Sequence, residues 1–181
     1  TSNGDLYYAA ELNYYDGPWS DINEDLNKYN GLLRYTQKIG DGELSVSLMA
    51  YENAWNSADQ IPLRAVETGL IDEFGSLDDT VGGQSSRYSI NTQWESEQFE
   101  ANFYIINYDL NLWSNFTYFL DNPVDGDQFE QVDERNIFGG QVKYKFKLGN
   151  SDNKIGVQVR RDDIDEVGLY STQARQRLGT I

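Results

Sequence analysis

Cysteine and histidine are both missing from the 181 residues of this chain. Without cysteine there is no disulfide scaffold, and without either residue there is no Cys/His zinc site and no histidine-based catalytic triad. Proline occurs three times and methionine once. Basic residues are scarce: 14 stand against 30 acids, for a net charge of −16. Nucleic acid is therefore not expected as a partner. The longest unbroken apolar run, Leu6 to Ala10, is five residues, whereas a helical membrane span needs about 20. No basic segment precedes an apolar one, and Thr1 to Asp5 is polar, so no secretory signal is read there. A membrane β-barrel survives these exclusions. Its strands alternate apolar and polar residues over roughly 10 positions and score poorly on hydropathy, so a mean hydropathy of −0.66 does not count against it.

Aromatics are abundant, with 13 Tyr, 8 Phe and 4 Trp, and argue against a disordered acidic chain. They sit in segments that alternate with a period of two. Leu6, Tyr8, Ala10, Leu12 and Tyr14 form one face of a first strand, Asp5 to Tyr15, which Pro18 ends. Lys28 to Ile39 reads as a second strand. Gly40-Asp41-Gly42 then supplies a tight hairpin into a third, in which Leu44, Val46, Leu48 and Ala50 oppose Glu43, Ser45 and Ser47. A long acidic loop, Asn56 to Gln84, leads to a fourth, with Tyr88, Ile90, Thr92 and Trp94 on one face. The fifth starts at Phe99 and its pattern loosens after Ile106. The sixth is Phe138 to Leu148, the seventh holds Ile155, Val157 and Val159, and the tail from Arg161 is mixed. The expected fold is all-β: an antiparallel up-and-down meander of about seven or eight strands, with residues 1–181 as one segment of a transmembrane β-barrel.

Short turns near Gly40, Glu97 and Ser151 alternate with long loops after Tyr15, Trp55, Ile106 and Arg160. That parity is the habit of outer-membrane barrels, with short turns on the periplasmic side and long loops outside. On this reading Arg34, Arg87, Gln93, Lys143, Lys145 and Arg160 face a wet lumen. Tyr8, Tyr14, Tyr35, Trp94, Phe99 and Tyr144 belong to interfacial girdles. Trp19, Trp55, Trp113 and Tyr118, in or beside the long loops, are candidates to stack on a ligand, with loop packing as the competing role. Arg64, nearly the only base in the second loop, is a candidate to meet an anionic ligand, with an ion pair to Glu67 or Asp59 as its alternative.

No catalytic set, cofactor or metal is expected. Asp121, Asp125 and Asp127 suggest a calcium loop, but Pro123 and Val132 occupy ligand positions. Asp78-Asp79 and Asp162-Asp163 are adjacent pairs, and neighbours on a strand point to opposite faces.

The runs Asp16-Gly17-Pro18-Trp19, Asn30-Gly31-Leu32-Leu33-Arg34-Tyr35, the stretch from Ala54 to Val66, Gly82-Gly83-Gln84-Ser85-Ser86-Arg87-Tyr88-Ser89, and Val167-Gly168-Leu169-Tyr170 with Arg175 resemble the barrel region of TonB-dependent outer-membrane receptors. The resemblance implies a bacterial outer-membrane location and active uptake of a scarce small-molecule ligand, such as a metal chelate or an oligosaccharide. It implies as partners the lipid bilayer, the remaining strands of a barrel of about 22, a plug domain and, through that plug, the TonB complex with ExbB and ExbD. Neither a plug nor a TonB box is read here, and the chain ends in Gly179-Thr180-Ile181 rather than an aromatic, so a fragment of the barrel is expected. Two alternatives stand beside it. One is a complete passive barrel of eight strands, closed by the tail after Leu169. The other is a soluble β-sandwich binding carbohydrate through Trp55 and Trp113.

Overall fold

The computed structural model describes residues 4–181. Eight antiparallel strands follow one another in a single sheet: β1 (Gly4–Tyr15), β2 (Leu26–Ile39), β3 (Gly42–Asn56), β4 (Gly82–Ser96), β5 (Phe99–Ser114), β6 (Phe129–Leu148), β7 (Ser151–Gln173) and β8 (Gln176–Thr180). Each strand pairs with its sequence neighbours, and a single short helix, α1 (Leu63–Glu67), interrupts the loop between β3 and β4. The three turns at Gly40-Asp41, Glu97-Gln98 and Gly149-Asn150 lie at one end of the sheet. The long loops 16–25, 57–81 and 115–128 lie at the other.

The register puts the alternating apolar residues on one face. A row of partners runs Leu33, Leu48, Ile90, Ile105 and Phe138 across β2 to β6, and the next runs Tyr35, Val46, Thr92, Phe103 and Gly140. Rings mark both borders of this band. Tyr14 and Tyr29 meet edge-on at 5.8 Å on the loop side, and Phe99, Tyr144 and Phe146 pack in series at 5.0 and 5.8 Å on the turn side. No second layer covers the band among the described residues. Among the described residues the buried apolar side chains are Ile22, Ala65, Val81, Tyr118 and Val132, in or near the long loops, while Leu48, Ile90, Phe103 and Val157 lie open. The described residues form one sheet, without the second that a soluble sandwich requires.

The band crosses the strands obliquely. The row through Ala10, the middle of the apolar stretch of β1, leads to Asp163 on β7, six residues past Val157 at the middle of the apolar stretch there. Six residues are about 20 Å of strand and six strand spacings about 29 Å, so the strands lean by roughly 35° from the normal to the band.

Three strands run further than their alternation suggests. β5 does not end at Ile106; it pairs with β4 and β6 up to Ser114. Its pattern inverts there: Ile106, Tyr108, Leu110 and Leu112 continue the polar face, and Asn107, Asp109 and Asn111 continue the apolar one. β6 starts at Phe129, not Phe138. The segment after Arg160 is no loop, because β7 continues to Gln173. The register shifts between Glu134 and Arg135 by skipping Asp165, which moves the outward positions from odd to even numbers and hides the strand from a period-two reading. The tail turns at Ala174-Arg175 and pairs along β7 as β8; among the described residues it makes no pairing with β1, so the eight strands form an open sheet.

Candidate functional site

The long loops fold over one end of the sheet and are tied together by side chains distant in sequence. Asp78 is the hub. Its carboxylate accepts from Asn115 Nδ2 at 2.8 Å, Gln128 Nε2 at 2.9 Å and Thr80 Oγ1 at 2.5 Å. Asp59 accepts the Asn115 backbone N–H at 2.6 Å. Gln128 Oε1 in turn accepts from Thr172 Oγ1 at 2.9 Å and from the Arg175 N–H at 2.8 Å. Arg175 closes the set by donating to the Thr80 carbonyl at 2.6 Å and to Asn56 Oδ1 at 3.1 Å, with its guanidinium 4.9 Å from the Trp113 ring centre.

The two acids are held differently. Burial pushes the Asp59 carboxyl up, the Asn115 N–H opposes this, and the Asp78 charge adds to it. Burial also works against the Asp78 charge, but the bonds from Asn115, Thr80 and Gln128 outweigh it and hold its pKa below the usual carboxylate range. Tyr118, buried and facing both acids, is pushed up to about 12, so its hydroxyl stays a donor, to the Gln60 carbonyl at 2.8 Å.

Beside this network, α1 and the loop 115–128 enclose a pocket of about 510 Å³. Its wall is apolar, from Pro62, Ala65, Leu70, Leu77, Phe119 and Leu120, with Arg64 and Tyr118 as its ionisable members. Two residues singled out from the sequence thus meet in one cavity. Arg64 makes neither of the ion pairs expected for it: among the described residues its side chain has no acidic partner, and it lies exposed at the rim. A cavity of this size with one cation at its mouth suits an apolar or amphipathic small molecule with a negative group.

The tryptophans do not converge. Trp55 lies in the row of Gly83 and Leu112, its ring against Gly83, where a Cβ would come within 2.8 Å of it. Trp113 lies in the next row, with Gly82 and Glu130, and therefore on the opposite face. A carbohydrate platform built from both is ruled out by this register. Trp19 sits in the loop 16–25 against Gly17 with its indole N–H buried and unbonded, as is that of Trp113. The suspected calcium loop is a turn closed on itself, because Asp127 accepts the backbone N–H groups of Leu120, Asp121 and Asn122.

All six polar residues assigned to one face by alternation do share it. Arg34, Arg87 and Arg160 line one concavity. Lys143 and Lys145 gather with Lys154 around Glu100 near the turns, at 3.8, 2.8 and 2.8 Å, and Gln93 lies between the two groups. Asp162 and Asp163 point to opposite faces, each held by the arginine two residues before it. Asp59, Asp78, Asn115 and Gln128 carry no motif by which sequence reading finds them. The set of known protein families, the curated proteins and the solved structures contain no match to this chain.

Proposed function

We propose that this chain is part of the wall and external loops of a bacterial outer-membrane β-barrel. On the resemblance of its strand-end runs, we assign that barrel to a TonB-dependent receptor for active uptake of a small ligand, a role without a catalytic step. The observation that carries the reading is the uncovered, ring-bordered apolar band and the lean of the strands across it. Barrel strands in membranes tilt by about 35–45°, and the roughly 35° obtained from register and hydrophobicity alone agrees with this. The long loops all stand beyond one border of the band, as external loops do. The polar face then lines the lumen, the plug and further strands complete the barrel, and the pocket of Arg64 and Tyr118 faces the outside, where ligand arrives.

The test is a spin-label scan in lipid vesicles at Leu48, Ile90 and Val142 on one face and Ser47, Asn91 and Gln141 on the other. Collision with oxygen at the first three and with a water-soluble nickel chelate at the last three is the expected result. Labels at Leu48, Ile90 and Val142 that collide freely with the chelate would overturn the reading.

A further inference from the structure

A chain with 30 acids against 14 bases is expected to present acid almost everywhere, yet the middle of the polar face does not. There a concavity of about 680 Å³ is lined by Arg34, Arg87 and Arg160, by Tyr104, Tyr108 and Asn91, and by apolar side chains including Met49 and Ile106. No Asp or Glu lines it. Of the acids of this face, Glu95 and Glu100 are engaged by lysines near the turns, Glu11 by Lys28 and Asp133 by Arg135 toward the loops, and Asp162, in the row of Ile137, by Arg160. Arg160 is thereby neutralised. Arg34 has only a bond to Ser45 Oγ at 2.8 Å, and Arg87 has no hydrogen-bond or ion-pair partner among the described residues. Both guanidiniums are exposed; Arg87 keeps all its donors free and Arg34 its Nη donors, beside phenol hydroxyls and hydrocarbon, in a lining without a carboxylate.

We propose that this strip is a binding site for the carboxylate of a small organic anion. A guanidinium fork matches a carboxylate with two parallel charge-assisted bonds; Arg34 and Arg87 supply the forks, Tyr104 and Tyr108 further donors, and Met49 and Ile106 cover the carbon skeleton. The proposal rests on the transport reading and deepens it: the site lies halfway along the lumen wall and selects solutes by negative charge.

The experiment titrates the protein, folded in a detergent with an uncharged headgroup and ¹⁵N-labelled at arginine, with citrate and with its neutral trimethyl ester. Citrate is expected to shift the Nε–Hε signals of Arg34 and Arg87, assigned by their loss in R34Q and R87Q, and to leave that of Arg161, on the other face against Asp163, in place. The ester shifts neither. R87Q weakens citrate binding about tenfold or more, a loss of about 1.4 kcal/mol, and R87K recovers part of it. Equal shifts at all arginines, or none at Arg34 and Arg87 at millimolar citrate, overturn the proposal. Where that happens while the label at Val142 still reports lipid, the anion site fails alone and the barrel reading stands.

Discussion

Asp59 and Asp78 are the residues on which the loop network titrates. The Asp78 pKa is depressed, so its contribution to stability is fully present above the ordinary carboxylate range and is lost as pH falls through the depressed value. The Asp59 pKa is raised, so its contribution has the opposite sign: it is present at low pH and lost as pH rises through the raised value. The loops are therefore tightest in mildly acid solution, between those two titrations. Asp78→Asn is expected to loosen them at neutral pH by about 2 kcal/mol, the scale of bonds to a charged acceptor. Asp59→Asn, which keeps an oxygen for the Asn115 N–H and removes a half-buried charge, is expected to leave them as tight or tighter. Amide exchange of residues 57–81 and 115–128 measures both, and faster exchange in the Asp59 variant would sink this account. Arg175 acts at the same scale. Arg175→Lys keeps the charge but cannot serve Thr80, Val81 and Asn56 together, and it is expected to speed exchange at both loops while that of β2 and β3 is unchanged.

At the scale of the strands, facing decides what a substitution costs. Leu48 and Gln93 sit on neighbouring strands but opposite faces. Leu48→Arg places a charge in the apolar band and is expected to destabilise the folded protein in bilayers by about 2–4 kcal/mol. Gln93→Arg, on the wet face, is expected to change stability by about 0.5 kcal/mol or less. Urea titration of vesicle-bound protein compares them, and equal losses would mean that both faces are packed against protein. The same facing explains what was legible in the sequence. β1 to β4 alternate in one phase from end to end of the band, and their register followed from it. In β5 the phase inverts after two adjacent isoleucines, Ile105 and Ile106, and in β7 the bulge at Asp165 resets it, so both strands looked shorter than they are. The loop pocket was legible only as single residues. Arg64 and Tyr118 stood out by charge and ring, but their common cavity depends on Leu70, Leu77 and Phe119, whose pairing across more than forty residues leaves no periodic trace.

For the whole molecule the open edges are the governing fact. Among the described residues β1 has no strand partner on its far side over 5–15, and β8 pairs with β7 at Tyr170–Gln173, which leaves most of β7 from Ser151 onward with one free edge. In water such edges invite pairing with other chains. In hydrocarbon each unpaired backbone group costs several kcal/mol, and the bare edge of β7 crosses the apolar band at Ile155, Val157 and Val159. A lone sheet therefore does not persist in a bilayer; its edges pair with further strands or with a second copy. Inserted alone into vesicles, the 181-residue chain is expected to associate, and the contact is expected to be edge to edge. Cysteines placed at Ala9 on β1 and at Gln158 on β7, both on the polar face, should form disulfides between chains, whereas cysteines at Ser47 and Gln93, within the paired centre of the sheet, should not. A monomer in vesicles whose label at Leu48 still reports lipid would contradict this, because it would require the chain to tolerate a row of unsatisfied donors and acceptors in hydrocarbon.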